Sequence, residues 1–128
     1  MLRLCERLRE PDREMRAHGP TRAEPGYLRA LLDSVADMDR CGEVEALKSL
    51  GDVNLEQGKL DKDAVKFTRA MSLYVAAIVR CRYPEVGLTL EHRHDYAEKQ
   101  LAKRRLKQPQ CQESTVVVTE ATSPAIKL

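Results

Sequence analysis

The chain has 128 residues and 14.5 kDa, enough for one small domain, with 22 Lys+Arg against 20 Asp+Glu for a net charge of +2. So even a balance argues against a protein built to coat nucleic acid or an acidic membrane surface. One Phe, four Tyr and no Trp leave the core to aliphatic side chains.

Residues 1–24 hold six Arg and five acids, broken by Pro11, Gly19 and Pro20. Leu2–Leu8 has room for two helical turns, too short a helix to hold alone, so the stretch reads as a frayed, disordered leader. Its charges recur every third or fourth residue and leave no apolar signal region.

From Pro25 the pattern changes. Tyr27, Leu28, Leu31, Leu32, Val35 and Met38 recur at the spacing of one helix face, and Cys41-Gly42 reads as the stop. A second helix is expected from Glu43 to about Gln57, with Val44, Leu47, Leu50 and Val53 inward and Gly58 ending it. The third has Asp61 or Asp63 as its cap and Ala64, Phe67, Ala70, Met71, Tyr74, Ala77, Ile78 and Cys81 as its stripe. Apolar residues wrap nearly its whole circumference, which predicts burial on several sides. Tyr83-Pro84 ends it, because the residue before proline is pushed out of the helical region. A fourth helix runs from about Glu85 to Arg105, with Leu90, His94, Ala97 and Leu101 on one face.

Residues 107–128 read as a disordered tail. Thr115–Thr119 has β preference, but the chain offers it no partner strand.

The chain also repeats itself. At an offset of 40, Tyr27–Cys41 falls on Phe67–Cys81 with six of fifteen positions identical, among them Arg29/Arg69, Ala30/Ala70 and Cys41/Cys81. Two helix-turn-helix units in tandem account for this, stacked so that small Ala30 and Ala70 let neighbouring helices approach.

The segment from Leu47 to Leu60 resembles the first helix and turn of a tetratricopeptide repeat (TPR). Leu47, Leu50-Gly51 and Gly58 match that motif, and Phe67 and Ala70 match its second helix. Asn54 stands where the motif has an aromatic, and Val75 replaces its closing proline. The likeness covers less than half of the chain. It implies an all-α fold, a short α-solenoid of about four main helices over 25–106. In such an array Gly51 gives room for a close helix crossing and Gly58 a permissive turn. The first helix of each pair lines the concave side, which puts Lys48, Asn54 and Arg93 forward as partner-binding residues. An array this short either caps its ends or self-associates through an exposed one.

No constellation points to catalysis, a cofactor or a metal. His92 and His94 lie two residues apart, so on a helix they face about 200° away from each other and cannot share an ion. His94, on the apolar stripe, reads as a packed core residue. Cys5, Cys41, Cys81 and Cys111 lack zinc-site spacing, and the six glycines are scattered singly rather than forming a phosphate loop. No apolar run approaches the roughly 20 residues of a membrane span. The expectation is a cytoplasmic, non-catalytic module that binds a protein. The alternative is a small nuclear or nucleic-acid-associated protein acting through Lys99, Lys103, Arg104, Arg105 and Lys107, although cations at a helix C-terminus are favourable without any ligand.

Overall fold

Gly19 sets the first corner of the chain. Its φ of 93° lies in the left-handed region that glycine adopts freely, and it separates two helices where a leader was expected. The computed structural model describes residues 6–107, which form α1 (Arg9–His18), α2 (Pro20–Ala36), α3 (Arg40–Asp61), α4 (Ala64–Arg80) and α5 (Pro84–Lys107). Each helix packs chiefly on its neighbours in the chain, and no strand occurs among the described residues.

Residues 6–24 are therefore not a frayed leader. Leu8, Pro11 and Ala23 are buried, and the Arg7 guanidinium donates to Asp37 Oδ2 at 2.6 Å, tying the entry to the corner between α2 and α3. Nor is Pro25-Gly26 a boundary. Pro25 forfeits one backbone hydrogen bond, but buried Ala23 and Tyr27 on either side hold the helix through it. At Gly26 an added Cβ would lie 3.0 Å from Pro11 Cβ, so α1 rests against α2 there.

α2 ends earlier than Cys41-Gly42. Met38 takes the left-handed conformation (φ 58°), and the Asp39 N–H donates back to the Ser34 carbonyl at 2.8 Å. Gly42 belongs instead to the first turn of α3, where its N–H donates to the Asp39 cap at 2.9 Å. Gly58 does not end α3, which runs on to Asp61 before Lys62 turns left-handed (φ 54°). Asp63, rather than Asp61, caps α4 by accepting from Val65 N at 3.0 Å.

Two apolar cores share α3. One joins Val44, Leu47 and Leu55 of α3 to Phe67, Ala70, Tyr74 and Ala77 of α4 and to Leu90, Ala97 and Leu101 of α5. The other sets Ala46, Leu50 and Val53 of α3 against Leu8, Ala23, Tyr27 and Ala30. α3 is thus the enclosed helix, whereas α4, expected to be buried on several sides, leaves Val65, Val75 and Val79 exposed. Glycine explains the closeness of the α3–α4 contact. A Cβ on Gly51 would stand 2.5 Å from the Tyr74 ring, and one on Gly58 2.9 Å from the Phe67 ring.

On α2 the buried face is Ala23, Tyr27, Ala30 and Ser34, with Leu31 half-buried. Leu28, Leu32, Val35 and Met38, expected inside, are exposed. His94 is half-buried on α5 beside Asp95, not within the core formed by Leu90, Ala97 and Leu101. The segment Thr115–Thr119 lies outside the described residues.

Candidate functional site

Along α3 a polar line of Glu45, Lys48, Asp52 and Glu56 runs at helical spacing between the two cores. It forms the floor of two adjoining hollows of about 510 and 240 Å³, whose walls come from α1, from Arg93 of α5 and, through Pro20 and Tyr27, from α2. Met15 of α1, Asp52 of α3 and Arg93 of α5 line both.

Asp52 is the hub. The Tyr74 hydroxyl donates to its Oδ1 at 2.5 Å, and the Arg93 guanidinium donates to its Oδ2. One carboxylate thereby ties three helices together. Tyr27 makes the matching contact on the other side, its hydroxyl donating to Asp12 Oδ1 of α1 at 2.5 Å. Burial pushes both phenols above their ordinary range; the negative charge of Asp52 adds to this for Tyr74, and the hydrogen bond to Asp12 for Tyr27. Both hydroxyls therefore stay protonated and act as fixed donors.

Of the three residues put forward for partner binding, two line the hollows and one does not. Arg93 sits at the mouth against Asp52, and Lys48 lines the smaller hollow, held 3.2 Å from Glu45 Oε1. Asn54 is only 4% exposed, and its Nδ2 donates to the Leu50 carbonyl at 2.9 Å, so it belongs to the interior of α3. The repeat positions Leu47, Leu50, Gly51, Gly58, Phe67 and Ala70 are all buried.

Sequence reasoning missed Asp12 and Met15, because α1 was read as leader, and missed Asp52. The polar line on α3 carried a usable signal, since its members recur every three or four residues. What it did not carry was the identity of the helices across from it.

Within the basic cluster, Lys99, Lys103 and Arg105 are exposed. Arg104 instead lies over the Phe67 ring, 5.8 Å from its centroid, and covers the core. A possible metal-ligand group differs from the one weighed in the sequence. His94, Asp95 and Glu98 bring their ligand atoms within 4.8 Å of one another along α5, while His92 is exposed and not part of it. Among the described residues no helix is long and apolar enough to cross a membrane. Comparison with protein-family models, with curated proteins and with solved structures gives no match.

Proposed function

We propose that the chain is a non-catalytic protein-interaction module, a short TPR-like solenoid that grips a segment of another protein between α1, α3 and α5. In this reading α3 and α4 are one helix pair, α1 and α2 the pair before, and α5 the first helix of a following pair. The observation that carries it is the shared hollow. α1, α3 and α5 share one surface, with Pro20 and Tyr27 of α2 at its side and no residue of α4, and stacked helix pairs place their binding face on such a surface. The outward residues Arg9, Glu10, Arg13 and Arg16 of α1 are charged, as an end helix that keeps a short array soluble should be, whereas α5 mixes exposed Glu91, Asp95, Glu98 and Lys99 with exposed Leu88, Tyr96 and Leu106.

The polar groups in the hollow are already held by one another, Asp52 by Tyr74 and Arg93, Lys48 by Glu45. Preorganised groups lose little further entropy on binding, so recognition rests on them together with apolar contact at Met15 and Leu55. A cytoplasmic setting, where its thiols stay reduced, suits this role.

The test is affinity capture with the full chain and three variants whose helicity is first checked by circular dichroism. Ser49→Tyr fills the smaller hollow, Lys48→Glu reverses its charge, and Lys103→Glu alters the basic cluster. A bound protein lost with the first two and kept with the third supports the module. Retention by both hollow variants, or loss with Lys103→Glu and steep weakening by salt, overturns it in favour of a phosphate-binding surface.

A further inference from the structure

The outer side of α2 is apolar where no helix covers it. Leu28, Leu32 and Val35 are 46%, 65% and 51% exposed, and Met38, just past the helix end, is 90% exposed. Their spacings of four and three residues place the first three on one stripe. At a rise of 1.5 Å per residue, that stripe is about 10 Å long. The inward face of the same helix is already occupied by Ala23, Tyr27 and Ala30 against α3. α2 therefore carries a second apolar face.

Its twin shows that the position does not require one. At the offset of 40, Leu28 and Leu32 of α2 correspond to Thr68 and Ser72 of α4, both exposed. A helix in an equivalent seat meets water with small polar residues at both leucine positions, although Val35 has its counterpart in Val75, also exposed. Leucines there at helical spacing are the mark of a contact, since soluble proteins rarely leave a contiguous apolar patch uncovered.

Charge says what makes that contact. Arg29 and Asp33 flank Leu32, both are exposed, and neither forms an ion pair with another described residue. A second copy of α2, laid antiparallel by a twofold axis near Leu32, sets Leu28 of one copy against Val35 of the other. The same operation sets Arg29 beside the Asp33 of the second copy, and does so twice. A surface that complements itself under a twofold axis is an isologous interface.

We propose that this face joins two copies of the chain into a homodimer through antiparallel α2 helices meeting at Leu32. The hollow lined by Met15, Asp52 and Arg93 uses other residues, so both copies keep it open. One helix per partner is a small interface, and the association belongs at the weak, micromolar end of specific contacts.

Analytical ultracentrifugation of the full chain over a wide concentration range tests it. The expected result is a monomer–dimer equilibrium that Leu32→Glu weakens by at least about tenfold, with circular dichroism unchanged because the side chain is exposed. Arg29→Asp and Asp33→Arg each weaken the dimer. Combined in one chain, they restore it, since the reversed pair complements itself again. A wild-type chain that stays monomeric throughout overturns the proposal and gives the stripe to another protein or another part of this chain. A dimer indifferent to Leu32→Glu, or a double reversal no better than either single one, overturns it equally.

Discussion

α2 and α4 lean on α3 with the same inward order, an aromatic, an alanine three residues on, and a third buried residue four beyond that. In α2 these are Tyr27, Ala30 and Ser34; in α4 they are Phe67, Ala70 and Tyr74. Their means of attachment differ. α4 drives two rings into notches left by Gly51 and Gly58, whereas α2 sets one ring, Tyr27, beside the small Ala23, Ala30 and Ser34. Their outer faces differ as well at two matched positions, Leu28 and Leu32 on one against Thr68 and Ser72 on the other, while Val35 and Val75 are both exposed. The inward order is set by the shape of α3, and the outward residues are free to take on other work.

The largest test of that difference is Phe67→Ala. Phe67 is fully buried between α3 and α5, and removing its ring costs about 3–5 kcal/mol through lost burial and the cavity left behind. That is a large share of the roughly 5–15 kcal/mol holding a domain together. Urea unfolding should show it as a sharply lowered midpoint. Leu32→Ala on the outer face of α2, measured on dissociated chain, should stay within about 0.5 kcal/mol. Equal losses from the two would erase the distinction between inward and outward residues.

A smaller loss is expected at the hydroxyl of Tyr74. Tyr74→Phe keeps the ring over Gly51 but deletes a hydrogen bond to a charged acceptor, at a cost of about 1.5–3 kcal/mol. The same substitution gives a pH signature. Burial first, and then the charge of Asp52, raise the folded-state phenol above its value in the unfolded chain. The unfolded phenol releases its proton near pH 10, so the stabilisation is complete below about pH 10 and falls away as pH rises beyond it. Denaturation midpoints taken from neutral to alkaline pH should drop more steeply for wild type than for Tyr74→Phe. Parallel curves would mean that Tyr74 ionises alike in both states.

Much of the α3–α4–α5 half was legible in the sequence. Val44, Leu47, Leu50 and Val53 are large, regularly spaced and buried, and Tyr83-Pro84 separates α4 from α5. The α1–α2 half was harder to read, for physical reasons. Helix periodicity weights bulky residues, so Leu28, Leu32 and Val35 outvoted Ala23, Ala30 and Ser34. Small residues are buried there because they let backbones come close. Pro25-Gly26 resembles a break, yet Gly26 is where Pro11 packs. α1 hides one buried residue, Pro11, among charges, with buried Leu8 just before it. The hollow was half visible. Lys48 and Arg93 were found from helix position, but Asn54 was misplaced because a buried amide that bonds its own helix looks in sequence like an exposed one.

The mildest test concerns Ser34, which occupies in α2 the seat of Tyr74 in α4. Tyr74 spends its hydroxyl on Asp52, but Ser34 Oγ is buried with no hydrogen-bond partner among the described residues. It is wedged against the start of α3, where a Cβ on Gly42 would lie 2.6 Å from it. A hydroxyl stripped of water and left unbonded costs about 1–3 kcal/mol. Serine is also the poorer helix former. Ser34→Ala removes both costs while giving up only one atom of packing, so it should stabilise the chain by up to about 1 kcal/mol. In a domain of this size that raises the melting temperature by about 4–8 °C per kcal/mol, well within reach of calorimetry. If Ser34→Ala instead lowers the melting temperature, the hydroxyl is bonded in solution. The two helices would then be anchored by equivalent polar contacts after all, and α2 would be as firmly seated as its twin.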